Sequence, residues 1–327
     1  MRVLKIAFFG SDPIALPLLN WLFDKAKGAV QFTAIYTQPD RPVGRGQKLR
    51  ANEIKQWAEA RELPVYQPER LDEVAQQAYA KLGTDLSLVM AYGHIFRQSF
   101  IDTPRLGTLN LHTSQLPKYR GASPIQTAIA MGERETGVSL MRIVRALDAG
   151  PIADCETVSI ERMDTARDVE AKLAQACVPL VSRNLTTLAF GDLVFTEQDH
   201  DHATFCRRLV KGDGSLDFSI PAMALAARIN GLFPWPATVL PINGQLIKVG
   251  LATAEAGEGA AGAVLGSDQE GLLIGTIDGV LRLHRLQRPG ARMLPVADFL
   301  RGFPIAVGTE IESVEMPPLI ADTPFRQ

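Results

Sequence analysis

The chain is poor in cysteine, has no long apolar run and carries almost no net charge. Of its 327 residues only Cys155, Cys177 and Cys206 are cysteines. They lie far apart, no two at zinc-ligand spacing, and their odd number argues against a disulfide framework. They read as reduced, small hydrophobic residues of a cytoplasmic protein. No stretch approaches the roughly 18 apolar residues of a membrane helix, and the N-terminus has no apolar segment with a small-residue exit. Neither a membrane span nor classical secretion is expected. Lys and Arg number 34 against 36 Asp and Glu, a net charge of −2. With no global basic field, contact with nucleic acid requires a local patch. The 46% hydrophobic content is ordinary for a soluble chain able to fill its cores, and the length suggests two domains.

What is present begins with Val3–Phe9, an apolar run consistent with a buried strand. Gly10-Ser11-Asp12-Pro13 follows, with Ser11 or Asp12 as an N-cap and Pro13 at the first helical position. The second and third glycines of a dinucleotide fingerprint are missing, so NAD binding has little support. Strands at Phe32–Tyr36 and Leu86–Ala91 alternate with helical stretches near Glu53–Ala60 and Leu71–Leu82. That alternation predicts an α/β fold with a mostly parallel, Rossmann-like sheet. Later come a helix over Pro124–Met131, strands over Gly137–Ile143 and Ile152–Ile160, and a long helix over Thr165–Leu188 capped by Asp164. Residues 191–205 turn polar and acidic and read as a linker. Beyond them, short runs broken by Gly, Asn and Asp, with hairpin signals at Asn243-Gly244 and Asp278-Gly279, predict a small, partly open β-barrel. The expected division is 1–190, a linker over 191–205, and 206–327.

The most informative stretch is Asn110–Gly121, following a strand at Gly107-Thr108-Leu109. Residues two apart in a strand point the same way, so Asn110, at the strand's end, and His112, just beyond it, project together. An amide beside an imidazole can hold a carbonyl oxygen and manage a proton. The third group is Asp148, in Leu147-Asp148-Ala149-Gly150 between two strands. A carboxylate next to an imidazole favours imidazolium and fixes its tautomer, and the three together can stabilise a tetrahedral oxyanion. No convincing nucleophile is present: Ser114 lacks an elbow setting and no cysteine lies nearby in sequence. The residue types suit acyl or formyl transfer without a covalent enzyme intermediate.

The pattern Asn-x-His-x-Ser-x-Leu-Pro-x-x-x-Gly, followed by Glu135-Thr136-Gly137 and Leu147-Asp148-x-Gly150, resembles the folate-dependent formyltransferases. The likeness extends to Phe9-Gly10-Ser11-Asp12, Gln38–Gly46, Ala91-Tyr92-Gly93, Phe233-Pro234-Trp235-Pro236 and Asp298–Gly302, almost the whole chain. These further stretches are similar to the branch that formylates a tRNA. The resemblance implies a Rossmann-like formyltransferase domain followed by an OB-like tRNA-binding domain. It implies 10-formyltetrahydrofolate as donor, initiator methionyl-tRNA as acceptor, and no metal. It makes Asn110, His112 and Asp148 catalytic, and sets the folate near Tyr92, Gly93, Ile95, Ser114, Leu116 and Pro117. Thr113, Gln115, His94 and Pro151 depart from the residues usual in the family.

Gln38–Arg50 holds Arg41, Arg45, Lys48 and Arg50 against Asp40, which is 4 − 1 = +3. Its two prolines and two glycines disfavour a packed helix or strand. Such a run is commonly a solvated loop; the resemblance implies an arm in which these four residues contact tRNA. Arg282, Arg285, Arg288 and Arg292 form a second basic cluster. A formyltetrahydrofolate hydrolase would share the three catalytic residues but needs no such arm. A sugar-amine formyltransferase generally lacks the arm as well. A non-enzymatic RNA-binding module is disfavoured by the intact Asn110, His112 and Asp148. His200 and His202 flanking Asp201 read as linker polarity, since further metal ligands are lacking.

Overall fold

A computed structural model describes residues 3–43 and 47–325. In chain order it contains β1 (Leu4–Phe9), α1 (Leu16–Asp24), β2 (Val30–Tyr36), β3 (Arg41–Val43), β4 (Lys48–Arg50), α2 (Glu53–Glu59), β5 (Val65–Tyr66) and α3 (Glu73–Ala80). There follow β6 (Leu86–Val89), α4 (Gln98–Ile101), β7 (Thr108–His112), β8 (Arg120–Gly121), α5 (Pro124–Ala130), β9 (Glu135–Arg142), β10 (Ile152–Ser159) and α6 (Ala166–Phe190). The remainder is β11 (Phe205–Cys206), α7 (Ala222–Leu232), β12 (Thr238–Ile242), β13 (Gln245–Glu255), β14 (Val264–Ser267), β15 (Leu272–Gly275), β16 (Val280–Gln287), β17 (Leu294–Pro295), α8 (Val296–Gly302) and β18 (Ile320–Ala321). Contacts divide the chain into two compact units, each discontinuous in sequence: 1–117 with 137–158 and 171–203, and 118–136 with 159–170 and 204–327.

The first unit is built on a seven-stranded sheet in the order β10-β9-β7-β6-β1-β2-β5. β1 lies parallel to β2 and β6, β6 to β7, and β2 to β5, while β9 runs antiparallel to β7. The expected mostly parallel, Rossmann-like sheet is therefore present. Every residue of β6 is buried, as a strand covered on both faces requires. The chain goes from β1 to β2 on one side and returns as β6 on the other. This reversal opens a crevice beyond the carboxyl ends of β1 and β6, where such sheets bind ligands. Phe9, at the end of β1, anchors that edge: its ring stacks on Tyr36 at 4.5 Å between centroids and meets Tyr92, Phe96 and Phe100 edge-on at 5.5, 5.3 and 5.8 Å. Asp12 caps the next turn by accepting from Ile14 N at 3.0 Å.

The second unit is a β structure in the order β12-β13-β16-β15-β14, with β17 added to β16. Its pairs are antiparallel, and Asn243 and Gly244, at φ 48° and 72°, make the tight turn between β12 and β13. Leu225 and Ile229 of α7 are buried in the core formed with Ile247, Val249, Leu281 and Leu283. The sequence pattern alone does not reveal α7, whose Ala-rich run alternates too weakly to stand out. A small sheet, β18-β11-β8, completes this unit.

Two local expectations change. Gln38–Arg50 does contain strand structure: β3 and β4 form an antiparallel ribbon pairing Arg41 with Arg50 and Pro42 with Leu49. The proline sits on a two-stranded edge, where its missing donor is tolerated. Asp164 does not close α6: its carboxylate accepts from Glu161 N, while Asp168 accepts from Thr165 N and Oγ1 at 2.9 and 2.6 Å, an N3 side chain returning to the cap. Within 191–205, Thr196 bridges to Ile152 and the Gln198 side chain is buried. Among the described residues no helix is long and apolar enough to cross a membrane, and no group of three or more His, Cys, Asp or Glu is placed to hold a metal.

Candidate active site

β7 carries the site and extends further than its sequence suggests, ending at His112 rather than at Asn110. Both residues therefore have strand geometry and share a face. Asn110 is half-buried, set beside Val89 of β6 and Met141 of β9, and His112, 6% exposed, faces Ser139 of β9. Burial of the flanking Leu109 and Leu111 on the opposite face fixes the register, since a one-residue slip would exchange the faces.

Asp148 reaches the site from the loop between β9 and β10. Its Oδ2 lies 3.8 Å from His112 Nδ1, with 19% and 7% of the two side chains exposed. Little water screens this contact, so a charge on the imidazole is opposed by the carboxylate at short range. The loop conformation is costly: Asp148 has φ 45°, in the left-handed region. Gln198 holds it there, donating from Nε2 to the carbonyl oxygens of Asp148 and Gly150 at 2.9 and 2.7 Å. Gly150 is required by close approach, since a Cβ there would stand 2.1 Å from Arg142 O. Gly150→Ala should therefore force the loop outward and destabilise the protein by about 1–3 kcal/mol. Urea unfolding reads this as a lowered midpoint with unchanged slope, and a wild-type midpoint would refute it.

Ser139 supports the turn after His112: its hydroxyl donates to Ser114 O at 2.7 Å and accepts from Leu116 N at 3.2 Å. Ser114 and Leu116 are buried, Pro117 is half-buried, and Leu116–Pro117 is a cis peptide. Gln115 Nε2 donates to Thr157 Oγ1 at 3.0 Å. Tyr92 and Gly93 follow β6, at the carboxyl edge shared with β1 and β7. Ser11 N donates to Ala91 O at 3.2 Å, closing the crevice at its base. Ala91 and Gly93 have φ 49° and 83°, so this loop too departs from ordinary backbone. Tyr92 is buried, and burial raises its hydroxyl pKa. Tyr92 OH and His94 Nε2 are buried without a hydrogen-bond partner among the described residues. Ile95 is 82% exposed.

The structure thus brings Asn110, His112 and Asp148 together and sets the Tyr92–Ile95 loop on the same sheet edge. Arg41, Lys48 and Arg50 are exposed on the β3–β4 ribbon; Arg45 lies outside the described residues. Arg41 pairs with Glu69 at 3.2 Å and Arg50 with Glu53 at 3.9 Å, both in water, where such pairs contribute little. The second basic cluster is reduced by one: Arg282 is committed to Glu255 and Asp268 at 2.8 and 2.6 Å. Arg282 holds the Asp268 carboxyl down to about 2. Sequence reasoning missed Ser139 and Gln198, ordinary polar residues whose positions depend on distant parts of the chain.

Comparison with known proteins bears on this site. The family description "Formyl transferase" matches residues 4–185, and "Formyl transferase, C-terminal domain" matches 208–304. A methionyl-tRNA formyltransferase of Pseudomonas fluorescens is 39% identical over 94% of this chain and 96% of its own. That of Pseudomonas syringae pv. syringae is 40% identical over 94% and 98%. Among solved structures, the sugar 3N-formyl transferase WlaRD, crystallised with dTDP and 5-N-formyl-THF, superposes with a TM-score of 0.64 at 17% identity, covering 89% of this chain and all of its own. HypX from Aquifex aeolicus, in complex with tetrahydrofolic acid, gives 0.62 at 18% identity over 94% of this chain and 48% of its own. These two establish likeness of fold.

Proposed function

The chain belongs to the formyl transferase family, and we propose that it moves the formyl group of 10-formyltetrahydrofolate onto the free amino group of initiator methionyl-tRNA, as a cytoplasmic enzyme of translation initiation. The observation that carries the chemistry is the convergence of Asn110, His112 and Asp148 at the carboxyl edge of β7. The acceptor amine attacks the formyl carbon and the carbonyl oxygen becomes an oxyanion. The Asn110 amide donates a hydrogen bond to that oxygen. His112 takes the proton that the attacking nitrogen must lose, hydrogen-bonds the oxyanion as the resulting imidazolium opposed by Asp148 at 3.8 Å, and delivers that proton to the departing folate nitrogen as the intermediate collapses. The transferred group passes directly from donor to amine, so no enzyme nucleophile is needed.

The donor belongs in the crevice beside Tyr92, Gly93 and Ile95, with Ser114, Leu116 and Pro117 forming the turn beneath the reacting groups. The fit has chemical support. Ile95 offers exposed apolar surface, and Tyr92 OH and His94 Nε2, without partners among the described residues, give the loop spare hydrogen-bonding capacity for a polar heterocycle. We read 1–190 as the catalytic part, 191–205 as the connection and 206–327 as an OB-like tRNA-binding part.

The acceptor reading rests on relatedness to tRNA formyltransferases and on the basic ribbon carrying Arg41, Lys48 and Arg50, with Arg45 between its strands in sequence. A phosphate can displace Glu69 from Arg41, because the existing pair is exposed and weak. Arg41→Ala and Lys48→Ala should each lower the salt slope of tRNA binding by roughly 0.7 to 0.9, one phosphate contact apiece. Donor binding without tRNA should be unchanged. The test is tRNA binding across a salt series. If both variants match wild type, the ribbon is a solvated surface and a small-molecule acceptor regains standing.

A further inference from the structure

The ribbon and the Tyr92 loop share a polar root, and its centre is Gln38. Backbone N of Gln38 donates to Ser11 Oγ at 2.9 Å, and its side-chain Nε2 donates to Tyr92 O at 3.0 Å. Its carbonyl accepts from Gln67 Nε2 at 2.8 Å and from Asn52 Nδ2 at 3.3 Å. Gln67 Nε2 also donates to Asp40 Oδ1 at 2.8 Å, and Lys55 Nζ donates to Asp40 Oδ2 at 2.7 Å. The hydrogen bond from Lys55 is the largest cause of the lowered pKa of the Asp40 carboxyl, so its charge, and with it this clamp, is present at neutral pH. Arg41, the first residue of the ribbon, follows Asp40 directly. An unbroken series of contacts therefore runs from ribbon to Asp40, to Gln67 and Gln38, and on to the backbone of Tyr92.

Both ends of that series can be rearranged by a ligand. At one end, the Arg41 guanidinium is paired with the exposed Glu69, a contact that water weakens. At the other, the Tyr92 loop contains Ala91 at φ 49° and two buried polar atoms without partners among the described residues. A loop with strained backbone and unsatisfied groups is one whose arrangement a ligand can bias. The side-chain amide of Gln38 is the direct tie between the two.

We propose that Gln38 is a positioning residue that couples occupancy of the β3–β4 ribbon to the arrangement of the Tyr92–Gly93 loop, so that acceptor and donor bind with linked affinities. This rests on the proposed function, in which the ribbon holds tRNA and the loop holds the folate. Linkage is reciprocal: whatever factor tRNA confers on folate binding, folate confers on tRNA binding. The tie is essentially one hydrogen bond, whose net strength corresponds to a factor of roughly five.

The experiment uses the full chain, initiator methionyl-tRNA and 5-formyltetrahydrofolate as an unreactive probe. Dissociation constants for each are measured with the other absent and saturating. Wild type should show a coupling factor of about five or more, equal from both sides. Gln38→Ala should bring it to about one while each ligand alone binds within about twofold of wild type. Gln38→Glu retains the size but sets an acceptor against Tyr92 O, and should lose the coupling equally; it decides the matter if the alanine variant melts early. Merely structural damage would weaken both ligands and leave the factor intact. A wild-type factor of one, or a factor that survives both substitutions, overturns the proposal. Arg41→Ala and Lys48→Ala separate the two levels: if both bind tRNA like wild type, the ribbon reading fails as well, whereas weakened tRNA binding in them with coupling intact in the Gln38 variants refutes the coupling alone.

Discussion

His112→Ala should lower the rate of formyl transfer by on the order of 10²–10³, about 2.7–4 kcal/mol of transition-state stabilisation. In the proposed mechanism the imidazole meets the developing oxyanion, and it is only 6% exposed. In such surroundings its loss is not made good by bulk water. Stability should change much less than activity, because β7 remains paired on both sides through its backbone. The measurement is single-turnover transfer at saturating donor and acceptor, with unfolding followed in parallel. A folded His112→Ala protein within about threefold of wild type would remove His112 from the chemistry.

Asp148→Asn should be the second most damaging change, with a rate loss of about 10². The substitution retains size and removes the charge 3.8 Å from His112 Nδ1. The imidazolium formed during proton transfer then lacks its counter-charge, and an amide can turn a donor toward the ring and stabilise the wrong tautomer. Donor affinity should be nearly untouched, so the loss falls on kcat and not on KM. Asp148→Glu restores the charge at a different reach and should recover part of the rate. A loss confined to KM, or no rescue of any size by Glu, would mean that position 148 shapes the pocket and does not act on the imidazole.

How far these residues were legible follows from the range of the interactions that place them. Asn110 and His112 could be paired from sequence because strand alternation is local, although the strand's true end, at His112, was set by pairing with Ser139. Asp148 could be nominated from its loop, but not what holds it there. Gln198, fifty positions away, makes its hydrogen bond to Asp148 O only once the chain has folded. The ribbon shows the opposite failure. Two prolines and two glycines argued against a helix or strand, yet two short strands form, because a two-stranded ribbon has open edges that accept proline. Arg282 looked like part of a free basic cluster because sequence shows charge without partners; Glu255, on the neighbouring strand β13, and Asp268 absorb it. Gln38 lay in the basic stretch that the sequence singles out, but nothing in the sequence marked its contact with the Tyr92 loop. An amide before a proline is ordinary, and only the return of β6 beside β1 brings Tyr92 O within its reach.

The central claim is that this site forms a new bond between a formyl carbon and the amine of a charged tRNA. The most direct measurement incubates the purified chain with 10-formyltetrahydrofolate and one of three additions: initiator methionyl-tRNA, the same tRNA uncharged, or none. Release of tetrahydrofolate and formation of N-formylmethionyl-tRNA are followed together. The account predicts equal amounts of the two products with the charged tRNA and negligible tetrahydrofolate in the other two mixtures. Tetrahydrofolate released at the same rate in all three, with free formate and no N-formylmethionyl-tRNA, would contradict it.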